Sequence, residues 1–175
     1  MRLWKKYLLL SILVLGIISL DQFTKHVIHV SMHLYQSIPV IEGFFHLTYI
    51  RNPGAAFGIM ADGSAIVRFF FFLITSTIAL ILLWIIFIRF PDDDWAGHLS
   101  VASIFGGALG NLIDRIRLGE VIDFLDLFIG KYHWPAFNVA DSAITIGVLA
   151  LILNFSFGPL SETLPSDSST KAAKE

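Results

Sequence analysis

Two aspartates, Asp123 and Asp141, have types and spacing that suit acid–base chemistry. A short connection between two apolar segments separates them and can bring their carboxyl groups together. Two close carboxyl groups cannot both ionise at low cost, so they share a proton. One can then take a proton from water while the other donates to a carbonyl oxygen. This pattern predicts hydrolysis, with the division of roles left open because the pair titrates as a unit.

Other polar residues gather close to these aspartates. Asn111, Asp114 and Arg115 stand at i, i+3 and i+4, which places them on one helical face. Asn138 and Asp141 stand at i and i+3, a spacing that also suits a helix cap followed by a first-turn acid. Capping and catalysis are compatible, because a helix N-terminus favours the charged carboxylate that a general base requires.

The elements that must position these groups are apolar helices. A helix needs about 20 apolar residues to cross the hydrocarbon core of a bilayer. Four segments are predicted to do so, at about residues 7–26, 66–90, 95–116 and 138–160. The 175-residue chain is 55% hydrophobic and 15% charged, with a mean hydropathy of +0.74. These values predict an all-α membrane protein rather than a water-soluble domain.

The charge and composition also limit the possible partners and chemistry. A net charge of −2 gives no reason to expect a nucleic-acid partner. Without cysteine there is no disulfide, thiol nucleophile or zinc–thiolate site. His26, His29 and His33 share a helical spacing that could suit a metal, but no carboxylate completes an obvious ligand set. We therefore expect neither a metal nor a cofactor.

Helix alternation brings the end of the first helix, with Asp21, to the same side as the residues around Asp141. The leading basic cluster of Arg2, Lys5 and Lys6 favours a cytoplasmic N-terminus, which places both termini inside and the polar cluster outside. Lysines and arginines are equally divided between the two predicted sides, so we expect some outer ones to form ion pairs in a site. No small-residue cleavage site follows the first segment, so an uncleaved helix is expected.

The predicted extracytoplasmic loops span about residues 27–65 and 117–137. Alternating apolar residues predict a strand at Phe45–Ile50, and Arg51–Gly54 supplies turn chemistry after it. The polar tail, residues 161–175, is predicted to be a disordered cytoplasmic extension beyond one domain at 1–160. The remaining loop acids are expected to be solvated; these are Glu120, Asp126 and the run at 92–94.

Two other functions compete with hydrolysis. A small proton-coupled transporter or channel subunit could use Asp21, Asp114 and Asp141 as a proton relay. A relay places acids at several depths, whereas these gather at one end of the helices. A non-catalytic scaffold would leave the costly polar groups at membrane depth unexplained.

Five segments resemble, in order along the chain, the motifs of bacterial lipoprotein signal peptidase, also called signal peptidase II. They are Asp21–Lys25, Arg51–Gly58, Gly110–Arg115, Val121–Phe124 and Phe137–Ser142. The resemblance implies a four-helix inner-membrane aspartyl endopeptidase with a small extracytoplasmic β-cradle and no metal. Its substrates would be diacylglyceryl-modified prolipoproteins, cleaved just before the lipidated cysteine. Membrane lipid would surround the enzyme, which is expected to be a monomer.

The resemblance also implies roles for individual residues. The catalytic pair falls on Asp123 and Asp141. The other motif residues would bind substrate or support the site; they are Asp21, Asn52, Asn111, Asp114, Arg115 and Asn138. Asn52 and Asn111 can hydrogen-bond substrate backbone, and Asn138 can orient the pair. Arg115 can pair with Asp114, or meet phosphate or ester oxygens of the substrate lipid.

Overall fold

The computed structural model describes residues 3–54 and 64–157. The elements in those ranges are α1 (Leu3–Ser31), β1 (Ser37–Ile41), β2 (Phe45–Asn52), α2 (Ala65–Arg89), α3 (Trp95–Leu118), β3 (Val121–Ile129), β4 (Tyr132–His133) and α4 (Val139–Phe157). All four helices are long and apolar enough to cross a membrane. The predicted architecture of four membrane helices with a small sheet is therefore confirmed. The predicted tail at 161–175 lies outside the described residues.

The first helix is longer than predicted, because it continues beyond residue 26 to Ser31. Its added turn carries Ile28, which joins a small core with Met32, Tyr49 and Phe124 under the sheet. The polar histidines of this turn had favoured a loop, but its apolar contact with the sheet stabilises a helix instead. The sheet therefore rests directly on the end of α1.

Helix α3 is the central helix, and it packs against α1, α2 and most extensively α4. Its glycines allow this close approach. A Cβ atom at Gly107 would lie 2.4 Å from the Ala140 carbonyl oxygen, and one at Gly110 would lie 2.6 Å from Asp21 Oδ2. Small residues permit such close packing of helices within a membrane. The result is that α1, α3 and the start of α4 meet where the polar motifs lie.

The four strands form one antiparallel sheet in the order β1-β2-β3-β4. The strand predicted at Phe45–Ile50 is confirmed by β2, which continues to Asn52. The second predicted loop instead contains β3, most of which is buried. A strand that is buried over most of its length lacks the alternation of apolar and polar residues. The residues of β3 therefore carried no clear signal for a strand. Gly119 adopts the left-handed conformation (φ 75°) that turns the chain sharply from α3 into β3.

The opposite end of the bundle has a second polar cluster. It corrects the expectation of a solvated acid at Asp94, which is buried, whereas Asp92 and Asp93 are exposed as predicted. The buried Lys6 ammonium lies 2.9 Å from Asp92 Oδ1. Asp94 is 3% exposed, caps α3 and accepts a hydrogen bond from Asn154 Nδ2 at 2.8 Å. These contacts connect α1, α3 and α4 at the end of the bundle that lies opposite the aspartate pair.

Candidate active site

Backbone pairing brings Asp123 and Asp141 to one place. Asp123 lies on β3, opposite Ile50 of β2. Downstream of the β3–β4 hairpin, Phe137 pairs with Leu125, so the chain entering α4 runs beside β3. Asp141 follows in the first turn of α4. The predicted approach of these two residues therefore arises from strand pairing rather than from a flexible loop.

Asn138 connects the two aspartates directly. Its Nδ2 donates to Asp123 Oδ1 at 2.8 Å, and its Oδ1 accepts from the Asp141 backbone N–H at 2.9 Å. The Asn138 backbone N–H donates in return to Asp141 Oδ2 at 3.1 Å. The last two bonds form a reciprocal helix cap. One fully buried asparagine thus caps α4 and holds both carboxyl groups.

Two further amides hold the remaining carboxyl oxygens. Asn52 Nδ2 donates to Asp123 Oδ2 at 3.0 Å, and Asn111 Nδ2 donates to Asp141 Oδ1 at 2.8 Å. The Asn52 oxygen accepts from the Gly54 backbone N–H, which fixes the turn after β2. Each of the four carboxyl oxygens therefore accepts a hydrogen bond. Both asparagines contact the aspartates themselves. The contact with substrate backbone that was expected for them stays a prediction.

Burial gives Asp123 an unusual proton affinity. The residue is 3% exposed, and burial, followed by the charge of Asp141, raises the pKa of its carboxyl group to about 7. Hydrogen bonds from Asn52 and Asn138 act in the opposite direction. A carboxyl group with this pKa can hold a proton near neutral pH and release it during a reaction.

A cleft of about 810 Å³ opens beside the two aspartates. Its polar wall includes Arg115, whose guanidinium lies 4.7 Å from the centre of the Phe72 ring. Its apolar wall combines sheet-side residues with Ile146, a lipid-facing position of α4 that is 65% exposed. The cleft therefore joins the polar site around the two aspartates to an apolar surface of α4.

Two of the predicted site residues, Asp21 and Asp114, lie beneath the aspartates rather than in the cleft lining. Both form ion pairs with Lys25, at 2.9 and 2.8 Å. Asp114, one of the two partners predicted for Arg115, therefore pairs with the buried lysine rather than with Arg115. The other predicted partner, oxygens of the substrate lipid, stays a prediction. Lys25 itself was missed as a site residue. Its i, i+4 spacing from Asp21 was the available signal.

Asp126, expected to be a solvated loop acid, instead lies in β3 and is 9% exposed. It accepts a hydrogen bond from Thr48 and lies 2.9 Å from His133 Nδ1.

His29, one of the three histidines with helical spacing, lies 2.8 Å from the Tyr49 hydroxyl. Within residues 3–54 and 64–157, no group of three or more His, Asp or Glu side chains is placed to hold a metal ion.

The comparisons with known proteins agree on one family. The family model for signal peptidase (SPase) II matches residues 13–157. The lipoprotein signal peptidase of Geobacter sulfurreducens is 53% identical over 148 residues, covering 85% of this chain and 91% of the relative. That of Syntrophus aciditrophicus is 50% identical over 151 residues, covering 86% and 94%. A solved bacterial membrane enzyme is similar at 35% identity and a TM-score of 0.76, covering 99% of this chain and 96% of its own.

Proposed function

Because this chain belongs to the signal peptidase II family, we propose that it removes signal peptides from prolipoproteins with Asp123 and Asp141 as its catalytic pair. The chain is a membrane peptidase of the aspartyl class, and the transporter alternative is not favoured. The observation that carries the residue assignment is the pair of adjacent carboxyl groups at one cleft. Two side-chain amides hold Asp123, and one side-chain amide and one backbone N–H hold Asp141.

The proposed reaction uses the pair as an acid and a base. Asp123 holds the shared proton, since its pKa is raised to about 7. Asp141 lies at a helix N-terminus, where a negative charge is favoured. Asp141 takes a proton from water, which attacks the scissile carbonyl carbon, while Asp123 protonates the carbonyl oxygen. The resulting gem-diol then collapses: Asp141 gives its proton to the departing amine nitrogen as the C–N bond breaks, and Asp123 takes a proton back from one hydroxyl, which restores the pair.

The cleft supports a lipid-modified substrate. Its polar side carries the aspartates and Arg115, and its apolar side reaches Ile146 on the lipid-facing surface of α4. A diacylglyceryl chain can lie along that apolar side while the peptide before the modified cysteine crosses the aspartates. Arg115 has the charge and donors to meet ester oxygens of the lipid or carbonyl oxygens of the peptide. A single chain supplies every group in this arrangement, which supports action as a monomer.

The protein is a multi-pass membrane protein, and we place the aspartate pair at the outer face of the bacterial inner membrane. The four spans among the described residues place the start of α1 and the end of α4 on one side. The basic residues Lys5 and Lys6 begin α1, and positive residues are retained on the cytoplasmic side. The sheet and the aspartates lie at the other end of the helices, and Lys25 there is neutralised in ion pairs.

The pH dependence of cleavage tests the proton held by Asp123. Because the pKa is about 7, Asp123 is protonated below that pH and loses its proton above it. We expect kcat/KM to fall about tenfold per pH unit above pH about 7, measured on a lipidated prolipoprotein in detergent. The control is Asp126→Asn, which alters a buried acid of the same strand and should leave the profile unchanged. Constant kcat/KM from neutral to alkaline pH would contradict the assignment.

The lipid requirement tests the substrate class. We expect an unlipidated precursor to have a kcat/KM at least about a hundredfold lower than its diacylglyceryl form. Each buried methylene contributes about 0.8 kcal/mol, so about four of them already supply that factor. The measurement is cleavage of matched precursors that differ only in lipidation, followed by gel shift. Equal turnover of the two forms would rule out a lipid-binding cleft, and no cleavage of either would count against the peptidase itself.

A further inference from the structure

We propose that Lys25 is the positioning residue of this active site, holding both aspartates in place through three separate contacts. The inference rests on the proposed catalytic roles of Asp123 and Asp141. It concerns a residue that lies behind the aspartates and does not line the cleft.

The Lys25 ammonium is buried, and all three of its hydrogens have an acceptor. The residue is 1% exposed, so water cannot compensate for a lost contact. Its Nζ lies 2.9 Å from Asp21 Oδ2, 2.8 Å from Asp114 Oδ2 and 2.9 Å from Asn111 Oδ1. An ammonium carries three hydrogens, and the structure gives it three acceptors. Each acceptor leads to a different part of the aspartate pair.

The first contact leads to the backbone of Asp141. Asp21 places Oδ2 against Lys25, while its Oδ1 accepts from the Ala140 backbone N–H at 2.9 Å. Ala140 directly precedes Asp141 in the first turn of α4. The ion pair on α1 therefore fixes the start of the helix that carries one catalytic aspartate.

The second contact leads in the same way to the backbone of Asp123. Asp114 Oδ2 pairs with Lys25 and also lies 3.3 Å from the Ile122 backbone nitrogen, which donates to it. Ile122 directly precedes Asp123 on β3. Asp21 thus holds the segment that carries Asp141, and Asp114 holds the segment that carries Asp123.

The third contact sets the orientation of the Asn111 amide. An ammonium can only donate hydrogen bonds, so the amide oxygen of Asn111 must face Lys25. The amide nitrogen then faces Asp141 Oδ1 at 2.8 Å, as a donor. Asn111 Oδ1 also accepts a hydrogen bond from Asn138 Nδ2 at 3.2 Å, so Lys25 and Asn138 together hold the amide in this orientation. Loss of Lys25 removes the closer of these two donors and weakens the constraint that keeps the Asn111 nitrogen on Asp141.

Lys25 also influences the pair through its charge, which acts to lower the pKa of Asp123. Other charged groups lie around Lys25 and Asp123 on α1, α3, α4 and β2; they are Asp21, Asp114, Arg115, Asp141 and Arg51. Loss of the lysine charge alone should therefore move the upper limit of the pH profile to higher pH. A lysine that only stabilised the fold would not produce that change.

The test uses the full chain in detergent and a lipidated prolipoprotein substrate. Lys25→Met removes all three contacts but leaves two buried carboxylates unpaired, which can prevent folding. The triple variant Lys25→Met/Asp21→Asn/Asp114→Asn avoids this because it carries no unpaired buried charge. We expect the folded triple variant to lose about 10- to 100-fold in kcat with KM changed less than about twofold. In folded Lys25→Met protein, the pH above which kcat/KM declines should be higher than in the unchanged protein.

The matched control is Lys6→Met. Lys6 is the other buried lysine of α1, 4% exposed, and its partner Asp92 lies at the opposite end of the bundle. Its kcat should equal that of the unchanged protein. A folded triple variant with an unchanged kcat would overturn the proposal, and so would a loss that only follows the folded fraction. Asp→Asn variants of the catalytic pair separate the two inferences, because their continued activity would instead overturn the proposed function.

Discussion

Asp123→Asn and Asp141→Asn are each expected to abolish cleavage of a lipidated prolipoprotein, by about 10⁴-fold or more. Neither asparagine can exchange a proton with water or with the scissile carbonyl at neutral pH, so half of the acid–base pair is lost. The partner cannot take both roles, because a peptide bond needs a proton accepted and a proton donated in the same turnover. The measurement is single-turnover cleavage by the purified variants, followed by gel shift.

The same variants are expected to remain folded, which separates catalysis from stability. The pKa of Asp123 is about 7 in the folded protein, against an ordinary value of 3.8. Deprotonation therefore favours the unfolded chain, and the stability that depends on this group falls as pH rises from about 4 to 7. Asparagine removes this cost, so the Asp123→Asn protein should be at least as stable as the unchanged protein at pH 8, measured by thermal unfolding.

Asp126→Asn is the control for these substitutions, because Asp126 is a buried acid of the same strand that contacts Thr48 and His133 outside the cleft. It should cleave at the normal rate. Cleavage by Asp123→Asn or by Asp141→Asn at more than about a hundredth of the normal rate would remove the pair from its proposed role.

The membrane helices could be predicted from the sequence because their signal is local. Each span is a run of about 20 apolar residues, and nothing distant is needed to recognise it. The sheet was only partly predictable. β2 alternates visibly, whereas β3 is buried over most of its length and β4 has two residues. The last turn of α1 packs through Ile28 against Tyr49 and Phe124 of two strands, a contact that no local pattern reveals.

The site was predictable to a different degree for each residue. Helix alternation placed Asp21, Asn111 and Asp141 at one end of the bundle, and the motif resemblance selected the pair from the other acids. Burial was not predictable from position in the chain. Asp126 reads as a loop acid, yet strand pairing encloses it. Lys25 reads as a helix-end cation, and only the packing of α1 against α3 brings it to Asn111.

The second large effect is expected at Asn138, where one side chain combines a helix cap with a contact to Asp123. A serine can keep the cap, because its hydroxyl oxygen also accepts from a first-turn N–H. It cannot replace the amide nitrogen that donates to Asp123 at 2.8 Å. Asn138→Ser should therefore lose about 10²- to 10³-fold in kcat, as expected for removal of one preorganised donor.

Comparison with alanine separates the two roles of Asn138. Asn138→Ala should show the same loss of kcat as Asn138→Ser but be about 1 kcal/mol less stable in unfolding measurements, because the cap is also lost. Asn154→Ser provides the matched control, since Asn154 is a buried asparagine of the same helix whose partner, Asp94, lies at the far end of the bundle. Normal cleavage by Asn138→Ser would show that the contact with Asp123 is not needed and would leave Asn138 only its cap.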